Sequence, residues 1–228
     1  MAEDAQQPVD RIIEIDRLAL YAPALEGDTR SPRLAWCIYK GNPRLTVFTN
    51  TKTDSVSSGI IPAPMDPRTF FAFLEALRAC ANGEPGKKGK VTCLTSNRDD
   101  NGNGSATGEK VLLSEIVYGK DDQGIVWISV IAKDRPRIKF EHHISDYHEI
   151  FHGDGTPLSK SESSAAHAIA TIDLAKEIYS EMIKEWNDNK PASGGNTSYA
   201  QRNQSKPQAG GQQYTPKKTD LSFDDDVF

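Results

Sequence analysis

The sequence predicts an α+β domain, mostly β, followed by a tail that lacks the means to build a core. Three observations carry that expectation. Short β-branched and aromatic runs recur between Gly-, Asn- and Pro-rich breaks. Two stretches carry apolar residues at helical spacing. Beyond Trp186 apolar runs nearly vanish, and Gly, Gln, Asn, Ser and Pro take over. The expected organisation is a folded domain over residues 1–186 and a disordered linker with an acidic tip over residues 187–228. With 228 residues the chain can bury one good core.

Taken in order, residues 11–21 hold Ile12, Ile13, Ile15, Leu18 and Leu20, which suits an opening strand. Residues 33–40 and 44–50 flank Gly41, Asn42 and Pro43 and read as a hairpin. Pro62, Pro64 and Pro67 mark a turn. Asp66 can cap a helix with Pro67 in its first turn, where a missing N–H costs little. Phe70, Phe71, Phe73, Leu74 and Leu77 give this helix an apolar face until Asn82 and Gly83 stop it. A basic loop at 83–89, a strand at 90–95 and a mobile polar loop at 97–108 follow.

Residues 111–119 and 125–132 form a second hairpin. In its second strand Val126, Ile128, Val130 and Ala132 alternate with Trp127, Ser129, Ile131 and Lys133, so one face is apolar and the other carries an aromatic ring and a base. Residues 137–140 add a strand, and Ser159 or Ser161 opens a helix that ends near Trp186. Hairpin, helix, strand and hairpin come in the order of an OB-fold. The expected architecture is therefore an OB-fold-like five-stranded barrel with an inserted helix, extra strands and a long C-terminal helix.

The net charge of −5 sits awkwardly with phosphate binding, but it is a sum over unlike regions. Asp220, Asp224, Asp225 and Asp226 fall within the last nine residues with no base, whereas Arg30, Arg33, Lys40, Arg44 and Lys52 bunch in the body. Cys37, Cys80 and Cys93 are odd in number and far apart, which fits neither a disulfide framework nor a zinc ribbon. No basic-then-apolar signal pattern opens the chain, and no apolar run reaches membrane length, so an intracellular location without membrane attachment is expected.

Single-strand binders need cations for phosphates and flat rings for bases. In the first hairpin Tyr39 and Phe48 interleave with Arg33, Lys40, Arg44 and Lys52; strand parity sends Trp36 into the core with Leu34 and Ile38 and leaves Tyr39 as the exposed platform. A second track places Lys133, Arg135, Arg137 and Lys139 within seven residues, near Trp127. The bland alternatives are barrel-filling aromatics and a charged edge strand that resists aggregation. His142, His143, His148 and His152 cluster with Asp146 and Asp154, but the spacing matches no metal signature, and a loop packed under the final helix accounts for them. Residues 83–90 evoke a phosphate-binding loop and fail its pattern, since Val91 follows Lys90 where Ser or Thr is required. No metal and no cofactor is expected.

The chain closes on Leu221, Ser222, Phe223, Asp224, Asp225, Asp226, Val227 and Phe228. Acids beside aromatic residues on a tether suit a docking peptide, because a solubilising tail has no need of Phe223, Val227 and Phe228. This tip resembles that of bacterial and phage single-stranded DNA-binding proteins, although it ends in Val-Phe where the bacterial form has Ile-Pro-Phe. The body is similar to phage members of that class at Gly41-Asn42-Pro43-Arg44, at residues 135–140 and from Asp146-Tyr147-His148 into the final helix. The resemblance implies a non-enzymatic protein of phage replication and recombination, in the host cytoplasm. It also implies recruitment of a polymerase, helicase or similar protein through Asp224, Asp225, Asp226, Val227 and Phe228. Two rivals stand beside it: a metal-dependent nuclease or hydrolase built on residues 142–152, and a protein-interaction module that does not touch DNA.

Overall fold

The structure, a computed structural model, describes residues 12–52, 54, 56–96 and 110–188. The expected mobile loop at 97–108 and the tail from residue 189 onward, with Asp224, Asp225, Asp226, Val227 and Phe228, lie outside the described residues. Nine strands and two α-helices follow in the order β1 (Ile13–Glu14), β2 (Leu20–Tyr21), β3 (Arg33–Tyr39), β4 (Asn42–Phe48), β5 (Ile60–Pro64), α1 (Pro67–Ala81), β6 (Lys88–Ser96), β7 (Lys110–Lys120), β8 (Val126–Ile131), β9 (Phe140–Glu141) and α2 (Lys160–Asp188) among the described residues. The fold is α+β and mostly strand.

The strands form two antiparallel sheets. In the first, β3, β4 and β5 pair in sequence order, and β1 and β2 both pair with the far edge of β3. In the second the order is β6-β7-β8-β9. No ladder joins the two sheets among the described residues, so the expected closed five-stranded barrel is not what forms. Part of the reason is in β5, where Pro62 and Pro64 remove two N–H donors and confine the strand to an edge. A side chain makes the crossing instead: Ser114 Oγ on β7 donates to the Pro62 carbonyl at 2.7 Å.

Local chemistry explains the elements. Lys40 (φ 49°) and Gly41 (φ 72°) form the two-residue turn between β3 and β4, the geometry that matches strand twist. Asn42 and Pro43 therefore belong to β4 instead of the turn. The opening strand expected at 11–21 is split into β1 and β2 by a 3-10 turn at Asp16–Leu18, which lets Leu18 point into the core. Asp66 caps α1 by accepting from the Arg68 and Thr69 N–H groups, with Pro67 in the first turn. Ser159 and Glu162 form a capping box that starts α2: Ser159 donates from its N–H and its Oγ to the Glu162 carboxylate, and the Glu162 N–H donates back to Ser159 Oγ. The strand expected at 137–140 shrinks to Phe140–Glu141.

The main core lies between the inner faces of both sheets and the two helices. Leu34, Trp36, Ile38, Leu45, Val47 and Ile61 of the first sheet meet Phe70, Phe73, Leu74 and Leu77 of α1, Tyr179 of α2, and Ile116, Val126 and Ile128 of the second sheet. Charge ties the outside together. Arg135 pairs with Asp54 at 2.7 Å with side chains only 6% and 2% exposed, and also donates to the Ile60 carbonyl at 3.3 Å. Removing one partner of a buried pair strands the other, at a cost of about 3–5 kcal/mol. Arg135→Ala is accordingly expected to lower unfolding free energy by about that much in urea titration; a loss below about 0.5 kcal/mol would show the pair to be dispensable.

Candidate nucleic-acid interface

With the even-numbered residues of β3 committed to the core, the register fixes the outer face of the first sheet. Arg33 stands opposite Phe48, Ala35 opposite Thr46, Cys37 opposite Arg44 and Tyr39 opposite Asn42; Pro64 follows Arg44 onto β5. Ala35, Cys37 and Thr46 are nonetheless buried. At one end the Arg33 guanidinium lies 4.7 Å from the Phe48 ring centroid; at the other, the Arg44 guanidinium and the Lys40 ammonium each lie 5.4 Å from the Tyr39 ring. Six residue steps of strand take Arg33 to Tyr39, a span of about 20 Å.

The Tyr39 end opens into a depression of about 300 Å³ lined by Tyr39, Asn42, Arg44, Pro64, Met65, Asp66 and Leu94. Its cation differs from its neighbours in pairing. Arg33 is neutralised by Glu14 at 2.7 Å and Asp16 at 3.6 Å, Arg135 by Asp54, Lys139 by Asp121 and Glu141, and Arg78 by Asp173. Among the described residues no carboxylate pairs with Arg44, although it is half-buried. Asp66 stands in the same depression, where the Thr69 hydroxyl and the Thr69 and Arg68 N–H groups hold its carboxyl below the usual range; it stays ionised but is bound to the α1 cap and makes no ion pair with Arg44. Burial pushes the Cys37 thiol beneath Arg44 up to about 11, so it stays neutral and offers no counter-charge. The depression thus presents an aromatic ring, an apolar wall and a guanidinium that no carboxylate pairs directly, a combination suited to a flat ring that carries a phosphate.

The second basic track is dispersed. Lys133 and Arg137 are exposed, but Arg135 is buried in its pair with Asp54, and Lys139 is held by Asp121 at 2.7 Å and Glu141 at 2.9 Å. Trp127 is a clear departure from the parity expectation. It is 1% exposed, in a second cluster with Val117 and Ile131, and the Lys139 ammonium lies 5.9 Å from its ring. Gly119 stands opposite it, and a Cβ there would come within 3.1 Å of the indole; the missing side chain makes room for the ring on β7. Trp127 is not a stacking platform in this conformation. Lys52 lies in an exposed turn whose N–H donates to Asp28 at 3.3 Å. Sequence reasoning missed Pro64, Met65 and Leu94 as lining residues, because a register between distant segments places them there.

The histidines split. His142 is fully buried, with Nδ1 3.3 Å from Nδ1 of His167 on α2, whereas His148 and His152 lie in an exposed loop. Among the described residues no group of three His, Cys, Asp or Glu side chains could hold a metal ion. No protein-family model, curated protein or solved structure matches the chain.

Burial, reinforced by His167 and His143, pushes His142 down to about 3, and burial also lowers His167. The unfolded chain takes up a proton on His142 as pH falls through about 6.5, and the folded chain refuses it until about 3. Stability therefore falls with pH across that window, by up to about 1.4 kcal/mol per pH unit for this one group. His142→Gln is expected to flatten the dependence of the urea midpoint on pH between about 4 and 6; equal slopes in variant and wild type would contradict the assignment.

Proposed function

We propose that the protein binds single-stranded DNA without strong sequence preference, as a non-enzymatic component of replication and recombination. In this reading the two sheets are an opened form of the OB-fold-like barrel, held at the β5–β7 crossing by Ser114 and Pro62. The carrying observation is the half-buried Arg44, without a carboxylate partner among the described residues, beside the Tyr39 ring and the depression it lines. A phosphate completes the guanidinium, and a base stacks on Tyr39, at about 1–3 kcal/mol per stacked base. Neither contact reads a base edge, so sequence tolerance follows.

The cation–aromatic contacts at the two ends of the face suit a strand running along it from Tyr39 toward Phe48. Phe48 takes part only after Arg33 lifts off its ring, so Tyr39 and Arg44 carry most of the affinity. Lys40, Lys52, Lys133 and Arg137 supply longer-range attraction, whereas Arg135, Lys139 and Trp127 hold the fold. The acidic tip, with Asp224, Asp225, Asp226, Val227 and Phe228, recruits a replication or recombination protein. The chemistry of that peptide and its resemblance to single-strand-binding tips support this part.

Fluorescence anisotropy of labelled oligothymidine over a salt series tests the proposal. Wild type is expected to bind, and to prefer the single strand to a duplex of equal length. Arg44→Ala should weaken binding to every sequence and reduce the salt slope by about 0.7. Tyr39→Ala should weaken binding at nearly unchanged slope. Deleting residues 221–228 should remove partner capture while oligothymidine is still bound. Wild-type binding that survives both Arg44→Ala and Tyr39→Ala undiminished would place the strand elsewhere.

A further inference from the structure

The turn between β3 and β4 has an unusual neighbour. Gly41 is buried although it sits at a hairpin tip, and what covers it is Trp186 from the last turn of α2. A Cβ placed on Gly41 would lie 2.9 Å from Cγ and Nε1 of the indole, and closer still to Cδ1. No L-amino acid other than glycine fits there, both for lack of space and for the positive φ of 72°. The contact joins residues 145 positions apart (186 − 41), so it is a tertiary clamp.

What the clamp holds is the end of the binding face. Tyr39 immediately precedes the turn, pairs across it with Asn42, and shares the depression with Asn42 and Arg44. The turn itself is a two-residue loop whose Lys40 has a left-handed φ of 49°, and the Asn42 side-chain amide donates to the Lys40 carbonyl at 3.2 Å. The tip of a hairpin is where its ladder frays first, and a ring on the last pair moves with it. A single helix also carries the means to stop this. Tyr179, about two turns before Trp186, donates from its hydroxyl to the Cys37 carbonyl at 2.9 Å, so α2 grips β3 first in mid-strand and then at the tip.

We infer that Trp186 is a positioning residue for the nucleic-acid face: by pinning the Lys40–Gly41 turn it fixes the orientation of Tyr39. The inference rests on the single-strand reading for its functional half, but its mechanical half does not. Trp186 is also suited to report on ligand, because Trp36 and Trp127 are 0% and 1% exposed.

The test has two arms. In the first, amide hydrogen exchange without ligand compares wild type, Trp186→Ala and Trp186→Phe. Trp186→Ala is expected to speed exchange of the Asn42 amide about tenfold or more and to leave Ile128, in the middle of the second sheet, unchanged. Trp186→Phe should restore most of the protection. If Trp186→Ala does not fold, Trp186→Leu takes its place, with the same expectation at smaller size. Unchanged exchange at Asn42 in a folded variant overturns the clamp.

In the second arm, oligothymidine dissociation constants are measured for Trp186→Ala, Tyr39→Ala and the double variant. Trp186→Ala should weaken binding about tenfold and add little in the Tyr39→Ala background, because the indole acts through that ring. Additive losses, or undiminished affinity in Trp186→Ala despite faster exchange at Asn42, overturn the positioning role. Wild type that binds no oligothymidine defeats the functional reading and with it this second arm, and the exchange arm then decides the clamp alone.

Discussion

The aromatic contact between the first sheet and the two helices governs everything else in this molecule. Trp36 meets Phe70 edge-on at 6.2 Å and Phe73 at 6.5 Å, Phe70 lies 4.3 Å from Tyr179, and the Tyr179 hydroxyl bonds the Cys37 carbonyl. Pairs of this kind contribute about 0.5–1.5 kcal/mol each beyond the area they bury. Their structural effect is larger than their energy. Once Trp36 of β3 is packed against α1, a one-residue slip of β3 would expose it and bury Arg33 and Tyr39, so the register is set. The outer face then has no choice of residues: Arg33, Tyr39, Arg44 and Phe48 must stand on it.

Much of this was legible in the sequence because it depends on local pattern. The alternation of β3 assigned Trp36 inward and Tyr39 outward, the Asp66-Pro67 pair marked the start of α1, and Ser159 or Ser161 marked the start of α2, where the structure resolves the choice to Ser159. The same alternation misled at β8, where both faces are buried and parity no longer separates core from surface. Gly119 was the available signal, since a glycine opposite a tryptophan leaves space for the ring to lie flat. Barrel closure was illegible because it depends on which edges pair, and edges are decided by prolines and side-chain crossings rather than by periodicity.

Charge shows the same division between local and distant information. Four bases in the run 133–139 look equivalent in sequence. Their fates differ because their acidic partners come from elsewhere: Asp54 for Arg135, Asp121 and Glu141 for Lys139. The converse holds for Arg44. Its neighbour Asp66 is bound to a helix cap and Cys37 stays protonated, so Arg44 keeps a guanidinium with no ion-pair partner among the described residues, unlike Arg33, Arg135 and Lys139. A protein of net charge −5 can thereby present a local cation to an anionic polymer.

The central claim is that the outer face of the first sheet, at its Tyr39 end, is where the strand lies. Photocrosslinking of bromodeoxyuridine-substituted oligothymidine, followed by peptide mapping of the adducts, addresses it without any substitution in the protein. The account predicts adducts on residues 33–48, with Tyr39 the principal site. Adducts confined to residues 126–141, or to the exposed loop at 143–158, would contradict it.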